Sequence, residues 1–163
     1  MKTGMLLLGL VGLLLWPPFY QQPTQPMKTM EVQYAYTILY VTDVPATLEF
    51  YEKALGFERR FLTPEQDYGE VKSGPTVLAF ANLALGNANF KNGFLKSETD
   101  QKPFGIELAF TTSDVASVME KALSHGSVLL SEKVTKPWGQ EVGYLRDING
   151  FILEICTPIP GQE

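Results

Sequence analysis

The sequence predicts an α+β domain of two repeated βαβββ modules, whose strands form a curved mixed sheet enclosing a cup-shaped pocket. An internal repeat is the first observation. YAYTILYVTDVPATLEFYEKALGF is echoed by PFGIELAFTTSDVASVMEKALSHGS, each running from an apolar strand through Asp-Val into a helix with Glu-Lys-Ala-Leu and on to a glycine. The second is that three short strand candidates, punctuated by turn residues, follow each helix. The third is physical: such a module packs one sheet face on its helix and leaves the other bare unless a second module joins it.

The chain up to residue 26 stands apart. Lys2 precedes an apolar run over 4–16, and PPFYQQPTQP follows. That pattern suits a signal peptide or membrane anchor, and the run is short for a bilayer span. Export or membrane association through 4–16 is one expectation; a cytoplasmic protein starting at Met27 or Met30 is the other.

Module one covers 34–82. Its first strand alternates, so Tyr34, Tyr36, Ile38 and Tyr40 share the face turned to the cup. Asp43 is placed to cap the helix that follows, and Pro45 suits its first turn, where a missing N–H costs nothing. Leu48, Tyr51 and Leu55 make one apolar stripe, and Gly56 can take the left-handed conformation that ends a helix. Strands are predicted over Phe57–Leu62, Tyr68–Ser73 and Thr76–Asn82, the last two joined at Ser73-Gly74-Pro75. Residues 83–103, rich in Gly, Asn and Lys, read as a linker with room for a short helix.

Module two covers 104–158. Ile106, Leu108 and Phe110 are expected to face the helix, leaving Glu107, Ala109 and Thr111 to the cup. Asp114 caps a helix with a stripe of Val115, Val118, Met119 and Leu123, and Gly126 ends it. Strands follow over Val128–Lys133, Gly139–Asp147 and Phe151–Thr157, with Asn149-Gly150 at the last hairpin.

Bulk properties exclude several functions. A net charge of −5 without clustered Lys and Arg argues against a nucleic-acid partner. One cysteine forms no internal disulfide, and one histidine excludes the usual two- or three-His metal site within one chain.

The strings Tyr40-Val41-Thr42-Asp43, Phe50-Tyr51, Leu55-Gly56-Phe57, Arg146-Asp147-Ile148-Asn149-Gly150 and Leu153-Glu154-Ile155 occur in order across the two modules. In this the chain resembles the vicinal-oxygen-chelate superfamily of glyoxalases, extradiol dioxygenases and bleomycin-resistance proteins, over about residues 34–158. KPWGQEVGYLRD and EICTP are similar to a bacterial subgroup described as glyoxalase-like. The resemblance implies a divalent metal in the cup, held by His and Glu from the first and last strands of each module. The matching positions here are Tyr36, Ala79, Glu107 and Glu154, of which only Glu154 is the residue the family pattern expects.

The expected site is therefore an aromatic and apolar cup with two carboxylates on one wall. Glu107 and Glu154 are the candidates for proton transfer, or for holding a hard cation such as Mn or Mg if any metal binds. The plainer reading pairs each with an Arg or a tyrosine hydroxyl. Tyr34, Tyr36, Tyr40, Ala79, Trp138 and Gln140 are the candidate ligand-binding residues; the turn carrying Trp138 forms a rim, or else closes the core. His125 fits a solvated helix end, and Cys156 a small core position. Tyr68 and Arg146 are weaker candidates, Arg146 as a neutraliser of a carboxylate. The expected function is binding of a small organic molecule without a metal cofactor, by a homodimer. A glyoxalase-type metal-dependent lyase or isomerase is the alternative, and an extradiol dioxygenase, lacking its two His, stands behind it.

Overall fold

The computed structural model describes residues 31–161; the candidate leader at 1–26 lies outside them. The chain from Tyr34 onward forms one compact unit. Its elements run β1 (Thr37–Val41), α1 (Val44–Leu55), β2 (Glu58–Leu62), β3 (Tyr68–Ser73), β4 (Thr76–Asn82), α2 (Leu83–Asn89), β5 (Glu107–Thr111), α3 (Val115–Ser124), β6 (Val128–Thr135), β7 (Glu141–Arg146) and β8 (Ile152–Cys156). The βαβββ order occurs twice, with α2 as the short helix of the linker.

Each module is a four-stranded mixed sheet, ordered β1-β4-β3-β2 in the first and β5-β8-β7-β6 in the second. The first strand of each runs parallel to the last, with Ile38 beside Ala79 and Ala109 beside Glu154. α1 and α3 carry the chain from the first strand to the far edge of each sheet, from which the antiparallel strands return until the last lies parallel beside the first. No strand pairing among the described residues joins the two sheets.

The helices form where their caps and stripes dictate. The Asp43 carboxylate accepts from the Ala46 amide at 2.9 Å and that of Asp114 from Ser117 at 3.0 Å, satisfying first-turn donors. Gly56 closes α1 at φ 75°, a conformation that a side chain would disfavour. Leu48 and Tyr51 of α1 are fully buried, beside Leu39, Val41, Val71 and Phe80 from sheet one. On α3 the buried stripe is Val115, Met119 and Ala122, while Leu123 is 39% exposed, so α3 sits rotated from the expected Leu123 face. Gly143 on β7 lies directly under the Met119 side chain, and that close approach sets the rotation.

One core serves both modules, because α1 packs against α3 and joins their clusters. The family-pattern residues Tyr51 and Asp147 meet here. Tyr51 Oη donates to Asp147 Oδ2 at 3.0 Å, and Asp147 Oδ1 accepts from the Asn149 and Phe151 amides at 2.9 and 2.8 Å. A fully buried carboxylate thereby shapes the β7–β8 turn and ties it to helix α1 of the other module. Ile106, expected to face the helix, precedes β5 and is 65% exposed, whereas Leu108 and Phe110 do pack on the core.

Candidate functional site

Strand alternation decides which residues each sheet turns away from its helix. On sheet two these are Glu107, Ala109 and Thr111 from β5, Ile152, Glu154 and Cys156 from β8, and Val142 and Tyr144 from β7. Glu154 lies between Ala109 and Tyr144. Tyr144 Oη donates to Glu154 Oε2 at 2.8 Å. That hydrogen bond, then burial and the charges of Glu154 and Glu107, pushes the Tyr144 phenol up to about 12. Burial first, then Glu154 and Glu107, pushes the Cys156 thiol up to about 11. This face therefore offers two carboxylates, a protonated phenol and a neutral thiol. Glu107 is exposed, and Cys156 is buried, as its reading as a core residue expected.

The matching face of sheet one carries Ile38 and Tyr40 from β1, Val77, Ala79 and Ala81 from β4, and Tyr68 and Glu70 from β3. Glu70, which the sequence reading did not single out, is 7% exposed and fully partnered. Tyr68 Oη donates to its Oε1 at 2.9 Å and Arg60 Nη1 to its Oε2 at 2.6 Å. Desolvation, then this hydrogen bond and the Glu70 charge, raises the Tyr68 phenol. Alternation of Tyr68, Glu70 and Lys72 along β3 was the available signal. Tyr68 was a weaker candidate, but Glu70 on the same face was not one, nor was Tyr144 on β7.

The remaining candidates fall in distinct places. Ala79 is completely covered within sheet one, so it makes no open contact surface. Tyr34 and Tyr36 precede β1 and are 75% and 47% exposed. Tyr40 is half-buried, its ring 4.8 Å from Phe94 and edge-on to Phe90 at 5.8 Å, so the linker fixes it. Trp138 projects into solvent and does not close the core; its Nε1 donates to Gln140 Oε1 at 3.0 Å. Gln140 Nε2 donates to the Thr157 carbonyl at 2.8 Å, which occupies both ends of that buried amide in holding the turn. Among the described residues Arg146 pairs with no carboxylate. Its guanidinium donates to the carbonyls of Gly150, Thr99 and Glu98, pinning the linker to the β7–β8 turn. His125 is exposed at the end of α3, with Nδ1 by the Lys121 carbonyl at 2.8 Å.

Two small cavities open where the modules meet. One, of about 200 Å³, is walled by Thr37, Val77 and Leu78 of module one and by Glu107, Ala109 and Phe110 of module two. The other, of about 190 Å³, is lined by Ile38 and Tyr40 with Phe94, Phe104, Ile106 and Phe151. Both are largely apolar, with Glu107 the charged group at the first.

The four positions that match family metal ligands hold a phenol, a methyl group and two carboxylates, one already hydrogen-bonded to Tyr144. Ala79 has no donor atom and no imidazole is present, so this set does not fit a His and Glu centre. Among the described residues no three His, Cys, Asp or Glu side chains converge as metal ligands would.

Comparison with known proteins agrees with this architecture. The structure is similar to that of a glyoxalase-related enzyme from Fulvimarina pelagi, at 25% identity and TM-score 0.66, over 78% of this chain and 88% of that one. It is similar in fold to a glyoxalase/bleomycin resistance protein/dioxygenase from Nocardioides, at 18% identity and TM-score 0.63, over 84% and 90% of the two chains. A glyoxalase/bleomycin resistance protein/dioxygenase family enzyme from Burkholderia phytofirmans matches at 15% identity and TM-score 0.62, over 76% and 96%. No functionally curated protein matches the sequence. The family model matches residues 33–155, and the chain belongs to the Glyoxalase/Bleomycin resistance protein/Dioxygenase superfamily.

Proposed function

We propose that this protein binds a small organic ligand in a cup between its two modules, without a resident metal. The observation that carries the reading is the apolar cavity walled by both modules, with Val77 and Ala109 on its sides and Glu107 at its charged edge. Ligand sites are concave, mostly apolar and furnished with few polar groups, and this one has that composition. Tyr144 and Glu154 add a donor and an acceptor for orienting a ligand on the neighbouring strands. Glu107 and Glu154 are the residues to hold or move a proton if the bound molecule reacts. A glyoxalase-type metal reaction has less support, since Ala79 supplies no ligand.

The proposal includes a homodimer. β6, exposed along all eight residues, is the end strand of its sheet and has no partner on its outer edge among the described residues.

A neutral aromatic probe, biphenyl-4-methanol, tests the binding reading through quenching of intrinsic fluorescence. The full chain is expected to bind it saturably. Ala109→Trp, which fills the cavity wall, is expected to weaken it about tenfold, the worth of roughly 1.4 kcal/mol. Unsaturable quenching, or equal affinity in the variant, would count against the site.

A further inference from the structure

We propose that Arg60 is a specificity-determining residue, which selects a ligand carrying a carboxylate on a planar aromatic body. The inference rests on the binding reading above and deepens it. It begins with a β-bulge. The register of β2 on β3 slips between Arg59 and Phe61, leaving Arg60 as the extra residue. Bulges re-aim side chains. Arg59 pairs with Glu52 on the helix side, while Arg60 turns to the opposite face and meets Glu70.

Module two contains the same device with different chemistry. β6 slips on β7 between Leu129 and Ser131, so Leu130 takes the place of Arg60. Phe61 stands opposite Glu70 as Ser131 stands opposite Tyr144, which makes Tyr144 the counterpart of Glu70. The architecture thus builds this corner equally well from leucine and tyrosine. An ion pair is not required by the fold at this place, and covering a carboxylate to 7% exposure carries a desolvation cost. The pair holds one thing fixed: a guanidinium.

That guanidinium is available. Arg60 gives Nη1 to Glu70, yet its side chain is 47% exposed, so its other N–H groups can meet a ligand. Its neighbours are aromatic. Phe61 and Tyr68 have ring centres 5.8 Å apart and tilted by 32°, and Phe61 is 44% exposed. Lys72, the next charge along β3, stands opposite the acidic Glu58 in the strand register. A planar fork beside aromatic rings suits a carboxylate on an aromatic body. Glu107 and Glu154 on the second sheet repel the same carboxylate, so the anionic end is directed to module one.

Biphenyl-4-carboxylate, compared with biphenyl-4-methanol on the full chain, tests the assignment. The carboxylate is expected to bind about tenfold more tightly, and to weaken when NaCl rises from about 0.05 to 0.5 M while the alcohol does not. Arg60→Met should abolish the preference, and Arg60→Lys, charged but without the fork, should fall between. Should Arg60→Met fail to fold, the salt comparison on the unaltered chain decides. Equal binding of the two probes, or a carboxylate preference that Arg60→Met retains, would overturn the role of Arg60 while leaving the cup as a binding site. Binding of neither probe would overturn both.

Discussion

Asp147 shows how a family pattern reads at the scale of a residue. Nothing in the spacing of Arg146-Asp147-Ile148-Asn149-Gly150 reveals that the carboxylate is fully buried or that its partner is Tyr51 of the other module. Burial raises the Asp147 carboxyl above its ordinary range, against the lowering by the Phe151 amide, the Tyr51 hydroxyl and Asn149. The native state therefore keeps this proton to higher pH than the unfolded chain does. The stability it contributes is present below the ordinary Asp range and is lost as pH rises through the raised native value. Urea denaturation between about pH 4 and pH 7 should show that decline, and Asp147→Asn should flatten it. An unchanged slope in the variant would mean that other groups set the dependence. Arg146 carries the same lesson. Its sequence context suggested a neutralised carboxylate, but its acceptors are carbonyls, and two of the three, of Glu98 and Thr99, lie far away in sequence, where no local pattern displays them.

Elements were the most legible scale, because caps, stripes and turns act locally. Asp43, Asp114, Gly56 and Gly126 stand where helices start and stop, and β3 and β4 have the expected bounds. The rotation of α3 was not legible, since Val115, Met119 and Ala122 fit a helical stripe as well as a stripe through Leu123 does, and Gly143 on another element decides between them. The β7–β8 turn depends on a contact of the same non-local kind. Gly150 has φ 93°, and a Cβ there would lie 2.8 Å from the Glu98 backbone. Gly150→Ala combines a strained backbone with a clash against main chain held by Arg146. It is expected to cost about 2 kcal/mol or more, seen as a lower denaturation midpoint at unchanged m-value. A cost under about 0.5 kcal/mol would show that the linker yields.

For the whole molecule, the repeat gave both modules, and strand alternation gave the outward faces on which Glu107, Glu154, Ile38 and Tyr40 lie. The polar partnerships on those faces were hidden. Tyr144 with Glu154 joins β7 to β8, and Arg60 with Tyr68 and Glu70 joins β2 to β3, so both pairings depend on register. Family pattern and strand alternation both put Ala79 on the outward face, and its complete covering follows from neighbours that neither contains. The positions that match the family's metal-ligand pattern hold a phenol, a methyl group and two carboxylates, a set that does not fit a His and Glu centre.

The central claim is a cup that works without a metal, and elemental analysis of the purified, untagged full chain tests it most directly. The protein would be offered Mn, Ni, Zn and Fe and followed by thermal shift. The account predicts well under one equivalent of any of these metals and no shift in Tm on their addition. One tightly held equivalent, lost in Glu154→Ala, would contradict it.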